Sequence, residues 1–119
     1  QPIFQVNGQG EAEDPFLWKD NKGYHAIFKD HVSKFTGEQG GGVMAHSKDG
    51  IRWTVDKDPK AYSRTVEWED GKVEMQGQLE RPFLLFENGK ATYAFFATMN
   101  GPGGFENATK SWNMVIPIK

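Results

Sequence analysis

The 119-residue sequence contains no cysteine. A disulfide framework and a thiolate zinc site are therefore excluded, although cysteine-free chains occur in every cellular compartment. The sequence also lacks any run close to the roughly 18–20 apolar residues that a membrane-spanning helix requires. The longest apolar stretch, residues 91–98, is interrupted by Thr92 and has the length of a strand. We therefore expect a soluble protein without a membrane partner.

A strong charge imbalance is also missing, because 14 basic and 16 acidic residues are mixed along the chain and give a net charge of −2. No basic stripe is present that could follow a phosphate backbone, so nucleic acid is not an expected partner. Abundant instead are 14 glycines and an aromatic fraction of 13%, including four tryptophans. This combination is typical of short strands joined by tight turns, with flat aromatic surfaces available for ligands.

An internal repeat divides the chain. The segment that begins Glu13-Asp14-Pro15-Phe16-Leu17 aligns with the segment that begins Glu80-Arg81-Pro82-Phe83-Leu84, at a displacement of 67 residues and with five identities in the first nine positions. After a one-residue slip in the following turn, Ala26-Ile27-Phe28 matches Ala94-Phe95-Phe96. Two copies of one structural unit are therefore predicted.

Each copy predicts a β-hairpin. In the first, strands at residues 16–19 and 24–29 flank a turn at residues 20–23, and in the second the turn contains Asn88-Gly89, the strongest short hairpin signal. The second strand of each hairpin is a nearly continuous apolar run. Such runs indicate burial on both faces of the sheet.

Further strands extend each copy. Strands at residues 42–46 and 51–55 complete a four-stranded meander in the first copy, whereas the second ends with a third strand at residues 112–118. An Asp-Gly hairpin at residues 67–74 separates the copies. The predicted organisation is a first blade over about residues 13–56, an excursion hairpin over about 60–78 and a second, incomplete blade over about 80–119.

Tandem meanders predict an all-β fold, namely a partial β-propeller of about two antiparallel blades. Blades pack face to face and a propeller needs at least about four to close, so two alone would leave apolar faces in water. We therefore expect a fragment, a cleaved half or an assembling subunit, which self-associates or pairs with a missing N-terminal part. The alternative is a small single-domain β-sandwich of about eight strands.

The motifs Glu13-Asp14-Pro15-Phe16, Ser47-Lys48-Asp49-Gly50-Ile51-Arg52-Trp53 and Glu80-Arg81-Pro82 together resemble the five-bladed β-propeller glycoside hydrolases of families 43, 32 and 117 and their relatives. The resemblance covers essentially the whole chain and is to the C-terminal portion of those enzymes, with similarity to a bacterial branch of the group. It implies a site of three carboxylates at the propeller axis. Glu80 would be the general acid and Asp14 the residue that modulates the acid's pKa and stabilises the site. The third carboxylate has no candidate in this sequence.

Other residues have candidate roles at such a site. Glu13 aligns with Glu80 and competes for the role of Asp14, and Arg81 either binds sugar oxygens or opposes the pKa shift of the acid. His46 is a candidate substrate contact, and Trp68 is the best candidate to stack on a sugar ring. The remaining tryptophans are expected to pack in the structure: Trp18, Trp53 and Trp112.

Two further sequence features are candidate functional signals. The Ser47–Trp53 motif is interpreted as structural, and the histidines do not indicate a metal site. The Ser47–Trp53 motif is similar to the Asp-box turn of sialidases and other propellers, where the aspartate satisfies turn amides. His25, His31 and His46 are six and fifteen residues apart and fit no local metal motif. We expect no metal and no cofactor, although some relatives carry an axial calcium ion.

The leading hypothesis is a glycoside hydrolase acting on a polysaccharide or oligosaccharide. A catalytically incomplete carbohydrate-binding module and a structural half-propeller that needs a partner chain are the alternatives. The sequence opens on Gln1 rather than Met, which we interpret as removal of an N-terminal segment. Together with a polysaccharide substrate, this favours a secreted or periplasmic location.

Overall fold

The computed structural model describes residues 12–31, 33–101 and 106–118, and the prediction of an all-β, antiparallel fold is confirmed there. The described residues form nine strands in three sheets and contain no α-helix. Every strand pairs only with the strand before or after it in the chain, always antiparallel. The chain divides into two compact units, Gln1–Tyr62 and Ser63–Lys119.

The first unit contains a four-stranded meander. Its strands, in sheet order, are β1 (Ala12–Asp20), β2 (Gly23–Asp30), β3 (Gly42–Ser47) and β4 (Thr54–Tyr62). The predicted hairpin between β1 and β2 is confirmed, because the Asp20 carboxylate accepts a hydrogen bond from the Lys22 amide at 2.8 Å and Gly23 has a φ of +128°. A Cβ on Gly23 would lie 2.6 Å from the Ser47 carbonyl oxygen, so only glycine fits this turn.

The prediction of the fourth strand at residues 51–55 is wrong. The strand starts at Thr54 and continues to Tyr62, so the meander ends beyond the predicted residue 56. The amides of Ile51 and Arg52 are bound by the Asp49 carboxylate and therefore cannot join the ladder. The strand passes through Pro59 because β4 is an edge strand, where a missing N–H can be tolerated.

The core of the first unit lies on one face of its sheet. Ala26 and Phe28 of β2 lie opposite Ala45 and Val43 of β3, and all four are fully buried. Phe35 closes this core from the loop after β2, with its ring edge-on to Phe28 at a centroid distance of 6.0 Å. The loop is shaped by the buried Asp30 carboxylate, which accepts hydrogen bonds from three consecutive amides: Lys34, Phe35 and Thr36.

The second unit contains a short hairpin and a three-stranded meander. The hairpin pairs β5 (Thr65–Glu67) with β6 (Val73–Met75), which confirms the predicted Asp-Gly hairpin. The meander consists of β7 (Gln78–Glu87), β8 (Lys90–Met99) and β9 (Ser111–Pro117). As predicted, no fourth strand joins this sheet within the described residues.

The two faces of the second meander differ in burial. One face carries the buried residues Leu84, Ala94, Phe96 and Met114. The other, which we call the exposed face, carries five apolar or aromatic side chains that are 39% to 52% exposed: Phe83, Leu85, Tyr93, Phe95 and Val115. The expectation that both repeated hairpins are buried on two faces is therefore wrong for the second copy.

The difference in burial between the two faces predicts that alanine substitutions at two neighbouring phenylalanines on β8 will destabilise the protein unequally. Phe96 is 4% exposed and Phe95 is 39% exposed. We expect Phe96→Ala to lower the free energy of unfolding by about 3–5 kcal/mol, because it empties a core position. Phe95→Ala is the matched control and should cost only about 1 kcal/mol, mainly through its edge-on contact with Phe83. Urea unfolding measures both, and equal losses would show that the exposed face is covered.

Candidate functional site

Both copies of the repeated motif begin their sheets with the same backbone irregularity. On β1 the register shifts between Glu13 and Phe16, and on β7 it shifts between Glu80 and Phe83. In each case three steps along the first strand match two steps along its partner, which defines a one-residue β-bulge. The sequence repeat therefore extends to the conformation of the backbone.

The bulges share an unusual dihedral angle. The residue before each proline has a positive φ, 49° for Asp14 and 52° for Arg81. This left-handed conformation costs an L-residue about 1–2 kcal/mol, and aspartate tolerates it better than arginine because its short polar side chain can bond locally. Such conformations persist where the surrounding structure imposes them, and they are enriched near functional sites.

The bulge decides which face of the second meander Glu80 occupies. One extra residue reverses the alternation of side chains, so Glu80 shares the face of Phe83 instead of the face of Leu84. Its ladder partner is Ala97, which in turn lies opposite Asn113 of β9. Despite the exposure of its aromatic neighbours, Glu80 itself is 8% exposed.

The structural equivalence of the two copies agrees with the sequence alignment of the repeat. By register, Glu13 corresponds to Glu80 and Asp14 corresponds to Arg81. Asp14 is exposed and has no hydrogen bond within the described part of the chain, whereas the side chain of Glu13 lies outside that part. Arg81 is exposed as well. Asp14 belongs to the first compact unit and Glu80 to the second.

The Asp-box turn has the structure that the sequence predicts. The Asp49 Oδ1 atom accepts hydrogen bonds from the amides of Ile51 at 2.8 Å and Arg52 at 2.9 Å, and from the Ser47 hydroxyl at 3.0 Å. The Ser47 oxygen accepts the Gly50 amide at 2.9 Å. These bonds stabilise the carboxylate, with the Arg52 and Ile51 amides contributing most, and lower the pKa of Asp49 to about 2.

A half-open cleft lies beside this turn. It has a volume of about 280 Å³ and is lined by six residues: His46, Ser47, Lys48, Asp49, Arg52 and Thr54. The His46 ring is half-exposed, and its Nδ1 atom lies 2.5 Å from the Asp56 carboxylate. His46 is thus placed in a cleft, as a ligand contact requires.

His46 and Asp14 are at opposite ends of the first sheet. Glu13, next to Asp14, pairs with Lys29, whereas His46 pairs with His25. These two partners, Lys29 and His25, are four positions apart on β2, which corresponds to about 13 Å along the strand. The structure therefore does not bring His46 to the strand end that carries Asp14.

A row of aromatic and imidazole side chains crosses the face of the sheet that carries His46. The sequence does not reveal this row. Trp18, His25 and His46 are ladder partners on three successive strands, and the Trp18 and His25 rings stack at 5.2 Å. The His25 Nε2 atom lies 2.9 Å from the Asp20 carboxylate, and this hydrogen bond is the main cause of the lowered pKa of Asp20. Only the register joins these residues, since their spacing along the sequence has no recognisable period.

The tryptophans are placed in different environments. Trp53 packs against the first core, as predicted, and its indole N–H donates to the Gly50 carbonyl at 3.2 Å. Trp68 is half-buried and donates to the Glu74 carboxylate at 3.2 Å across the β5–β6 hairpin. Trp112, which we expected to pack, is 36% exposed on β9.

Buried charge marks the start of the first sheet. Lys29 is buried at the ladder position opposite Glu13, and the corresponding residue of the second sheet is Ala97. The sequence gives no sign of this role, because Lys29 ends a strand that reads as apolar. Because lysine is almost never buried unless it is paired, Lys29 is held by interactions within the protein.

No signal for a metal or a membrane span is found in the described part of the chain. It contains no group of three or more histidines, aspartates or glutamates that could hold a metal ion. Within the same residues, no helix is both long and apolar enough to span a membrane. Comparison with protein-family models, curated proteins and solved structures finds no match to this chain.

The left-handed residue in the second bulge predicts a stability difference between two substitutions. Arg81→Gly should be more stable than Arg81→Ala by about 1 kcal/mol, because glycine adopts a positive φ without the steric cost that alanine pays. Both variants remove the same charged side chain, so the pair isolates the backbone effect. Urea unfolding measures the difference. A more stable alanine variant would contradict the positive φ at this position.

Asp49 predicts a loss of stability in acid. Its pKa of about 2 in the folded protein lies below the ordinary value of 3.8, so its stabilising contribution is present above 3.8 and disappears as the pH falls through 2. Asp49→Asn keeps the acceptor oxygen but cannot titrate. We expect the stability gap between wild type and variant to shrink between about pH 5 and about pH 2, as measured by urea midpoints. A constant gap would contradict the assignment.

Proposed function

We propose that this chain is part of a carbohydrate-active β-propeller that hydrolyses glycosidic bonds, with Glu80 as the general acid and Asp14 as the stabilising carboxylate. The observation that carries the proposal is the repeated bulge. In both copies a left-handed residue before a proline sets a carboxylate at the start of the first strand of a sheet. Bulges commonly re-aim side chains beside active sites, and strained residues are kept where function requires them.

The environments of the two carboxyl groups support a division of roles. Glycosidic cleavage requires one carboxylic acid to protonate the leaving oxygen and another group to remain ionised. Glu80 is 8% exposed, whereas Asp14 is exposed to water, so the two carboxyl groups differ in their access to solvent. In this proposal Glu80 donates its proton as the bond between the anomeric carbon and the leaving oxygen breaks. The base or nucleophile comes from a carboxylate outside this sequence.

The sheet topology supports the propeller over the β-sandwich. β-Sandwiches commonly contain Greek-key connections, in which a strand returns to pair with a non-consecutive one. Here every paired strand is a neighbour in the chain, and an Asp-box turn joins β3 to β4. Tandem meanders with such turns are typical of propeller blades. Action on a polysaccharide would agree with a secreted or periplasmic protein.

The remaining candidates have subordinate roles. Arg81, exposed next to Glu80, offers a fork of N–H donors to sugar hydroxyls. Glu13 is the register equivalent of Glu80 and is the alternative to Asp14. His46 and Trp68 would contact parts of a long substrate that extend away from the acid. A polysaccharide substrate is compatible with this wide distribution.

The general-acid role is tested with substrates that differ in their leaving groups. In a protein that contains this chain together with the base, Glu80→Gln should lower kcat on natural oligosaccharides by about 10²–10⁴-fold, because the leaving oxygen can no longer be protonated. On aryl glycosides with strongly acidic phenols the loss should be much smaller, since those leaving groups depart without a proton. Glu69→Gln, an exposed change in the β5–β6 turn, is the control and should leave kcat unchanged.

Two results would overturn these assignments. Full activity of Glu80→Gln on natural oligosaccharides would exclude Glu80 as the acid, and an equal loss on both substrate types would assign it another role. Asp14→Asn and Glu13→Gln separate the two candidates for the second carboxylate. Absence of both sugar binding and hydrolysis across a panel of glycans would contradict the proposed function.

A structural half-propeller that needs a partner is the second candidate, and the exposed face favours it. Five apolar or aromatic side chains on one side of a sheet form the kind of surface that usually contacts another protein surface. A second copy of the chain would cover it. Under this candidate Glu80→Gln has no effect on any activity, whereas Phe95→Lys weakens concentration-dependent association in sedimentation.

A further inference from the structure

The cleft beside the Asp-box turn carries an excess of positive charge. Lys48 and Arg52 both line it, and the only carboxylate among the six lining residues is that of Asp49. Among the described residues that line the cleft, the formal net charge is +1 with histidine counted as neutral, and the Asp56 carboxylate lies 2.5 Å from His46. A concave surface of this kind attracts anions, because the field of its charges is focused by the protein walls.

The carboxylate in the cleft is already engaged. Asp49 directs its Oδ1 atom at the amides of Ile51 and Arg52 and at the Ser47 hydroxyl. The low pKa of Asp49 reflects these bonds, which compensate its negative charge from within the turn. The positive charge of Arg52 adds a smaller contribution to the lowered pKa, so an external anion would share Arg52 with the Asp49 carboxylate.

The two cationic side chains are available. Lys48 and Arg52 are exposed, and neither forms an ion pair with the residues that the structure describes. The turn fixes their backbone, since the Arg52 amide is bound to Asp49 and the Ser47 hydroxyl holds the Gly50 amide. Thr54, exposed at the start of β4, adds a hydroxyl donor.

We propose that this cleft binds an oxyanion, with Arg52 as a two-pronged donor and Lys48 as the second cation. The planar guanidinium matches the spacing of two oxygens on a sulfate, phosphate or carboxylate group, and the ammonium supplies a mobile point charge. The site lies at the other end of the first sheet from Asp14. Electrostatic attraction supplies most of the binding free energy, so the affinity falls as the salt concentration rises.

The chemistry suggests what the anion belongs to. If the proposed function holds, the ligand is a sulfated or uronic acid residue of a polysaccharide, and this extension rests on the proposed function. Binding of the isolated anion does not depend on it. An experiment can therefore contradict the anion site without contradicting the proposed function, and the reverse also holds.

The anion site is tested by titrating ¹⁵N-labelled protein with sodium sulfate, sodium phosphate and sodium acetate, each against sodium chloride at equal ionic strength. We expect saturable shifts of the amides at residues 46–54, with Kd in the range of about 1–10 mM. Sulfate and phosphate report a tetrahedral ligand, and acetate reports a planar one. The strongest of the three identifies the anion geometry that the cleft accepts.

Variants identify the residues responsible. The double variant Lys48→Gln/Arg52→Gln should weaken binding at least about tenfold, and each single variant should weaken it by part of that factor. Lys57→Gln, which removes an exposed charge from β4 outside the cleft, should bind as wild type does. The same spectra show whether each variant remains folded.

Two outcomes would overturn the anion site. One is a response to the oxyanions no larger than the response to chloride, and the other is unchanged affinity in a folded double variant. A sulfated oligosaccharide and its desulfated form, tested with Glu80→Gln, separate this site from the proposed function. Preference for the sulfated form should persist in that variant even where hydrolysis is lost.

Discussion

The structure depends on how each of the two meanders accommodates a proline in its first strand. Pro15 and Pro82 have no N–H and cannot donate to a ladder, and both sheets absorb them in a one-residue bulge. The extra residue reverses the order of side chains on either side of it. Leu79 therefore faces the same core as Leu84, and Glu80 joins the face of Phe83. Core packing and the position of the candidate acid follow from one backbone constraint.

A second constraint acts at the far end of the first sheet. The Asp49 carboxylate removes two amides from the ladder, so β4 begins only at Thr54. The same turn holds Trp53 against the core and places Lys48 and Arg52 along the cleft. One aspartate thus links the stability of the turn to the electrostatics of a surface site. Asp49 therefore has a structural role in the turn. The exposed side chains beside it, Lys48 and Arg52, are cationic.

The two ends of the first sheet suggest separate tasks. The bulged end carries Asp14 and the buried Lys29, and the other end carries the Trp18–His25–His46 row and the cleft. An enzyme acting on a long acidic polysaccharide would use both, with chemistry at one end and recognition of charge at the other. In the second unit, the exposed face beside Glu80 carries partly exposed apolar and aromatic side chains.

The sequence alone determined the strand content, the hairpin turns, the repeat and the Asp-box turn. These features depend on local chemistry: glycine and asparagine at positive φ, alternating apolar residues, and an aspartate that bonds amides two and three residues ahead. It could not place the start of β4, the exposure of Phe95 or the meeting of His25 with His46. Those depend on register and on which face is covered, and neither is encoded in neighbouring residues. The alignment of the two copies already paired Glu13 with Glu80, but only the tertiary structure decided that Glu80 lies on the face of Phe83, because the bulge reverses the alternation of side chains that a regular strand would have.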